Sequence, residues 1–139
     1  QIILKNIQCI QLHGSETNVR IKEIKQRSKL KVIKTIQVKD QTDIGLYKKY
    51  SNADYILYDT PSMEGSIEFP EDLILKLPKG ENFALAGSIS ESTIDNIAKL
   101  GVTFCDLSSK LETKLGIKDH KKIKKFMSKV EKINENTTF

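Results

Sequence analysis

The 139-residue chain has only two cysteines, three prolines and no tryptophan. Two cysteines, Cys9 and Cys105, are too few for a disulfide framework, so we expect a reducing compartment and a cytoplasmic protein. The sequence has no CxxC motif and no cluster of cysteine and histidine, which argues against a structural zinc site. Its apolar runs all fall short of the roughly 18 residues that a membrane-spanning helix needs. We therefore expect neither a metal nor a membrane partner.

Arginine is also scarce, although the formal net charge is +5. Arg20 and Arg27 are the only arginines, whereas recognition of bases and phosphates usually relies on the bidentate guanidinium group. Four of the lysines lie within residues 121–125 and flank an apolar stripe at helical spacing, which favours the solvated face of a terminal amphipathic helix. A basic α/β module that binds nucleic acid is the alternative, and such a module would bind in a salt-dependent manner.

Short apolar segments alternate with amphipathic segments along the whole chain. This alternation predicts parallel strands joined by right-handed helical crossovers within a single domain of residues 1–139. Two α/β architectures fit: a partial (β/α)8 barrel of the TIM type with about five βα units, or an open five-stranded doubly wound sheet. Ser90 is the predicted N-cap of the fourth helix. The predicted strands are 7–12, 30–36, 54–59, 82–87 and 102–107, and the predicted helices are 16–27, 41–51, 70–77, 91–100 and a terminal helix after Asp119.

Polar and small residues follow the predicted strands. In both architectures the carboxyl ends of the strands are where functional residues are expected. Small residues after the last two strands would let backbone N–H groups approach and bind a phosphate. The segments at these ends read QLHG (11–14), YDT (58–60), LAGS (85–88) and CDLSSKLE (105–112), with GIKD (116–119) shortly after.

Taken in order, these motifs resemble the phosphoribosylanthranilate isomerase family, (β/α)8 barrels of tryptophan biosynthesis. That family carries QLHG at its fourth strand, an aspartate at the end of its sixth and LAGG at its seventh. Its eighth strand carries DVSSGVE, followed by GxKD. The resemblance runs from about residue 7 to about residue 130, and it assigns the five predicted strands to barrel positions four to eight.

The resemblance implies an Amadori rearrangement of N-(5′-phosphoribosyl)anthranilate to 1-(2-carboxyphenylamino)-1-deoxyribulose 5-phosphate, without a cofactor. A general acid protonates the ring oxygen as the ribose opens, and a general base removes the C2′ proton. The acid maps onto Asp59, for which a cap of the following turn is the alternative role. The partner is then a small sugar phosphate. Phosphate binding maps onto Gly87, Ser88, Ser108 and Ser109, and the substrate pocket onto His13 and Asp106.

The sequence also departs from the family pattern. The family's base is a cysteine that ends strand one, and an arginine follows strand two; neither has a counterpart here. We therefore expect a longer product with three further strand–helix units before Gln1, and no turnover by these residues alone. Two open strand edges also predict self-association, or a need for that segment. Ser88 and Lys110 replace family glycines, and the loop at 62–66 keeps only Gly65. These departures favour an alternative function, that of a non-catalytic or altered descendant that binds a sugar phosphate.

Overall fold

The computed structural model describes residues 6–60, 71–80, 82–87 and 89–137. Within them, the main sheet has five parallel strands, and their spatial order is the same as their order along the chain. A sheet wound in one direction is typical of a (β/α)8 barrel, whereas a doubly wound sheet reverses its strand order. The predicted partial barrel is thereby confirmed, and the doubly wound alternative is wrong. The strands are β1 (Cys9–Leu12), β2 (Lys31–Gln37), β3 (Tyr55–Asp59), β4 (Phe83–Ala86) and β5 (Phe104–Asp106).

Helical segments follow the strands, as predicted, but several are short. The predicted helix 41–51 is one turn of α-helix that continues as a 3₁₀ helix, Gly45–Lys49. The longest helices are the first and the last, and the N-cap of the first is Thr17, whose hydroxyl accepts a hydrogen bond from the Arg20 N–H. The α-helices are α1 (Asn18–Ser28), α2 (Gln41–Ile44), α3 (Glu71–Ile74), α4 (Ile94–Ala98) and α5 (His120–Thr137).

The start of α4 corrects one prediction. The helix begins at Ile94 and Thr93 occupies the N-cap position, so Ser90 is not the N-cap. The Ser90 N–H donates to Thr93 Oγ1 at 3.0 Å, and the Ser90 hydroxyl lies 2.7 Å from that of Ser92. These local contacts hold residues 91–93 in a turn, because serine and threonine side chains compete with the helical backbone for hydrogen bonds.

The two faces of the sheet are filled differently. Side chains alternate between the faces along each strand, and the face that packs against the helices, here called the outer face, carries the larger core. The inner face, which lies toward the barrel axis, has a small buried cluster of Leu57, Ala84 and Ala86, packed against the partly buried Ile33 and Phe104. Buried members of the outer core include Ile36, Ile56, Tyr58, Leu85, Ile97 and Phe126.

A short antiparallel hairpin, which the sequence analysis did not predict, follows β5. Its strands are β6 (Glu112–Lys114) and β7 (Ile117–Lys118). Gly116 takes a positive φ of 77° in the turn, and its N–H donates to Glu112 Oε2 at 3.1 Å. The hairpin therefore depends on a glycine for its backbone and on a glutamate side chain that closes the turn.

The terminal helix α5 is amphipathic, as the lysine-flanked stripe predicts. Phe126 is buried, and Val130 and Ile133 pack against the outer core. Two of its lysines pair with acidic side chains near α4: Lys125 Nζ lies 2.8 Å from Glu91 Oε2, and Lys129 Nζ lies 2.7 Å from Asp95 Oδ2. In the described residues, we find no helix with the length and apolarity required to cross a membrane.

Candidate functional site

Asp59 ends β3, and its side chain is 20% exposed at the mouth of the partial barrel. Burial raises the pKa of this carboxyl above its ordinary value, and the neighbouring charge of Asp106 raises it further. His13 and a hydrogen bond from the Thr60 N–H act in the opposite direction. The net upward shift keeps Asp59 protonated to a higher pH than an exposed aspartate, which suits a general acid.

His13 lies beside Asp59, directly after β1. Its Nε2 atom is 4.0 Å from Asp59 Oδ2 and 3.1 Å from Gln37 Nε2. Gln37 and Asp59 are register partners on adjacent strands, so the parallel sheet itself brings the three side chains together. The sequence motifs predict His13 and Asp59 at this mouth. Gln37 was missed, although its position at the end of β2 is the signal that would have identified it.

Gly87 follows β4 and lies against the end of β3. Its φ is +99°, and a Cβ built on it would lie 2.4 Å from Thr60 Oγ1 and 3.1 Å from Asp59 Oδ1. Only glycine fits here, because both the backbone conformation and the space exclude a side chain. The structure therefore places the predicted phosphate-binding glycine next to the predicted acid. Ser88, the other residue predicted in this loop, lies outside the described residues.

The end of β5 brings the remaining predicted residues to the same edge of the sheet. Asp106 ends β5 and is exposed, and its charge acts on Asp59. Lys118 Nζ donates to the Ser108 carbonyl at 3.0 Å and contacts the Ser108 hydroxyl at 3.1 Å. Ser109 begins a 3₁₀ helix, Ser109–Leu111. Lys118 belongs to the GIKD stretch but had no predicted role. It places an ammonium group beside Ser108.

The part of the chain that the structure describes brings neither a reactive thiol nor a metal-binding cluster to this mouth. Cys105 packs against the outer core, and burial raises the pKa of its thiol to about 11, so it stays protonated near neutral pH. Cys9 is partly buried and free. Among residues 6–60, 71–80, 82–87 and 89–137, no three His, Cys, Asp or Glu side chains are placed together to hold a metal ion.

Known proteins resemble this chain in sequence. The family described as N-(5′-phosphoribosyl)anthranilate (PRA) isomerase matches residues 2–129. The N-(5′-phosphoribosyl)anthranilate isomerase of Endomicrobium trichonymphae is 37% identical over 125 residues, which are 86% of this chain and 58% of that relative. The chain thus spans about three-fifths of the length of this curated relative.

Two solved structures show the same fold at higher than 25% identity. The phosphoribosyl anthranilate isomerase of Thermotoga maritima is 29% identical with a TM-score of 0.72, covering 90% of this chain and 62% of that one. A phosphoribosyl anthranilate isomerase in complex with reduced 1-(o-carboxyphenylamino)-1-deoxyribulose 5-phosphate is 28% identical with a TM-score of 0.69, covering 90% of this chain and 60% of that one. With the family match extending over nearly all of its residues, the chain belongs to the N-(5′-phosphoribosyl)anthranilate isomerase family.

Proposed function

We propose that this chain supplies the general acid and the phosphate-binding residues of a phosphoribosylanthranilate isomerase site. The observation that carries the proposal is the position of Asp59, which lies at the end of β3 in a partly buried setting that raises its pKa. The family resemblance assigns the general acid to this position. The related structure with a reduced deoxyribulose phosphate supports a small sugar phosphate as the ligand, and we place the reaction in the cytoplasm.

In the proposed reaction, protonated Asp59 donates its proton to the ribose ring oxygen. The bond between C1′ and that oxygen breaks, and the anthranilate nitrogen lone pair forms a C1′–N double bond. A base then removes the C2′ proton, and the resulting enolamine tautomerises to the ketone of the product. The Asp59 carboxylate left by the first step is stabilised by His13, 4.0 Å away, and by the Thr60 N–H.

We propose that the phosphate binds between the loops that follow β4 and β5. Gly87 keeps the first loop close to Asp59, and Lys118 brings positive charge to the Ser108 end of the second. Backbone N–H groups in loops of small residues are suited to phosphate oxygens. Gly87, Ser88, Ser108 and Ser109 are the proposed phosphate-binding residues, with His13 and Asp106 lining the substrate pocket.

The proposed base lies outside these elements. Cys105 is excluded because its side chain packs in the outer core, on the opposite face of β5 from Asp106. The family's base is a cysteine at the end of the first barrel strand, and the resemblance places β1 at the fourth. We therefore expect the 139 residues alone to show no turnover. Conversion by the purified chain that Asp59→Asn abolishes would refute this expectation.

A hybrid barrel tests the role of Asp59 directly. The segment that precedes the matched region in the Endomicrobium relative is fused before residue 7, and consumption of N-(5′-phosphoribosyl)anthranilate is followed. Asp59→Asn should lower kcat about 10²- to 10⁴-fold, as expected for loss of a general acid, with little change in KM. Asp95→Asn is the matched control, because Asp95 is an exposed carboxylate that pairs with Lys129. Full activity in the Asp59→Asn hybrid would contradict the proposal.

Lys110 favours a second candidate function, that of an altered sugar-phosphate-binding descendant. This lysine occupies a position where the family has glycine, and with Lys122, Lys125 and Glu91 it lines a cleft of about 240 Å³ between the segments that follow β4 and β5 and the helix α5. Added positive charge would favour phosphate while altering the shape of the loop. If the hybrid binds inorganic phosphate but neither binds nor converts the isomerase substrate, this second function becomes the better assignment.

A further inference from the structure

A buried lysine, Lys34, lies on the outer face of β2, close to the segment that carries His13 and Gly14. The Lys34 side chain is 2% exposed, and its Nζ lies 2.9 Å from Glu16 Oε2. The same atom donates to the Gly14 carbonyl at 2.5 Å, and it lies 5.4 Å from the centre of the Tyr50 ring. A buried ammonium group needs such partners, because removing a charge from water is costly unless it is paired and hydrogen-bonded.

Two of the partners of Lys34, Gly14 and Glu16, belong to the same peptide segment. Gly14 is held twice: its carbonyl accepts from Lys34, and its N–H donates to Glu16 Oε2 at 3.1 Å. Lys34 and Glu16, which also pair with each other, therefore hold the carbonyl and the N–H of Gly14 respectively. A Cβ at Gly14 would lie 2.8 Å from Glu16 Oε1, so the carboxylate packs directly against the glycine backbone. Gly14 is the neighbour of His13, and its position limits where the His13 ring can go.

Strand β2 thus contacts this segment from both faces of the sheet. On the inner face, Gln37 Nε2 lies 3.1 Å from His13 Nε2. On the outer face, three residues earlier in the same strand, Lys34 holds Gly14. The inner contact is exposed, whereas the outer contact is made by a buried ammonium group that bonds directly to the Gly14 carbonyl.

We propose that Lys34 is a positioning residue that, together with Glu16, fixes the Gly14 peptide and thereby holds His13 beside Asp59. The consequence of this positioning for catalysis rests on the proposed function of Asp59. The positioning itself is a property of the folded chain, and it is measured without any turnover.

The Asp59 carboxyl reports the position of His13. The charged and polar groups that act on Asp59 are His13 after β1, Asp106 at the end of β5 and the Thr60 N–H, and of the two side chains only His13 lowers its pKa. If Lys34 is removed and His13 moves away, the Asp59 pKa should rise. A general loss of packing at the outer face would not by itself produce this change.

The experiment titrates the Asp59 carboxyl carbon by ¹³C NMR in the 139-residue chain. In the unmodified protein, His13→Asn should shift the Asp59 midpoint upward, since it removes the side chain that lowers the Asp59 pKa. Lys34→Met should shift it in the same direction, and His13→Asn should then add little in the Lys34→Met background. Lys31→Met is the matched control, because Lys31 is a lysine of the same strand whose side chain contacts Tyr55 on the inner face.

An unchanged Asp59 midpoint in Lys34→Met would overturn the proposal, and so would an equal His13→Asn shift in both backgrounds. Lys34→Met leaves Glu16 without its partner and could unfold the chain. The double variant Lys34→Met with Glu16→Gln avoids an unpaired charge and should give the same shift. In either variant, hydrogen exchange at the Gly14 N–H should also accelerate roughly tenfold as its restraint is lost. Failure of the hybrid enzyme assay, with these shifts present, would refute the isomerase function and leave the positioning role intact.

Discussion

The outer and inner faces of the sheet are built from the same strands but differ in how they are filled. Leu85 and Leu57 make the difference concrete: they lie on adjacent strands, each is 1% exposed, and they point to opposite faces. Leu85 packs among large side chains that include Tyr58 and Ile97. Leu57 packs with Ala84 and Ala86. Equal burial therefore does not mean equal packing.

The inner face uses its side chains for polar contacts instead. Gln11 Nε2 donates to Thr35 Oγ1 at 3.1 Å, and Thr35 is 5% exposed. Nearer the mouth, Gln37 contacts His13, and Asp59 follows on the next strand. The comparison indicates that the helix-facing layer contributes most of the apolar packing of this sheet, whereas the barrel-facing layer carries Asp59, the proposed acid.

The largest expected effect is on the stability of the outer core. Leu85→Ala should lower the free energy of unfolding by about 3–5 kcal/mol, because the large neighbours around Leu85 cannot collapse fully into the space left behind. Leu57→Ala should cost less, about 2–3 kcal/mol, because the partly exposed Ile33 and Phe104 can move toward the gap. Urea unfolding followed by circular dichroism measures both.

Leu85→Met is the volume-conserving control for Leu85→Ala, and it should lower the free energy of unfolding by less than about 1.5 kcal/mol. If Leu57→Ala costs as much as Leu85→Ala, the inner layer contributes equally to stability and the distinction between the two faces is lost.

The second prediction concerns the mouth, where β3 and β4 end. Gly87→Ala should lower stability by roughly 2 kcal/mol or more, because a methyl group there combines an unfavourable positive φ with a contact of 2.4 Å to Thr60 Oγ1. Gly101→Ala is the matched control: its φ is +66°, with no atom within 4 Å of the built Cβ, so it should cost only the backbone strain of about 1–2 kcal/mol. Thermal unfolding distinguishes the two; equal losses would show that the close approach at Gly87 is unimportant.

Much of this architecture follows from local sequence patterns. The five strands begin and end within about two residues of the predicted bounds, because short apolar runs between polar breaks reflect burial in a parallel sheet. Asp59 ends β3 and Gly87 directly follows β4, so the topology alone brings them to one edge. Their proximity in space could therefore be predicted without any long-range information.

The residues that escaped prediction depend on contacts distant in sequence. Lys34 resembles any lysine of a half-exposed strand, and only the fold shows that its ammonium reaches Glu16, 18 residues earlier. The hairpin β6–β7 depends on Glu112 and Lys118, whose side chains meet at 2.7 Å across the turn. Ser90 was misassigned because its hydroxyl contacts that of Ser92 and the N-cap position belongs to Thr93. In each case a side-chain hydrogen bond decided the local structure.

The smallest expected effect is the decrease in the free energy of unfolding that the Asp59 carboxyl causes. Because burial raises the pKa of Asp59, the folded state binds its proton more tightly than the unfolded state does. Wild-type stability should therefore fall as the pH rises from the ordinary aspartate pKa of about 3.9 through the raised value in the folded state. Asp59→Asn removes the charge and keeps an oxygen that can accept from the Thr60 N–H.

We therefore expect Asp59→Asn to be more stable than the wild type at pH 7, with a gain that shrinks to nearly nothing as the pH falls below about 3.9. Thermal unfolding of both proteins from pH 3 to pH 8 measures this, and Asp95→Asn, which changes an exposed carboxylate, should show no such gain. Under the proposed function the same substitution lowers turnover, so a gain in stability together with a loss in turnover would show that the burial that raises the pKa of Asp59 also costs stability. A wild-type protein that is more stable than Asp59→Asn at pH 7 would mean instead that the carboxylate is well stabilised at the mouth, and that Asp59 is not tuned as an acid by its burial.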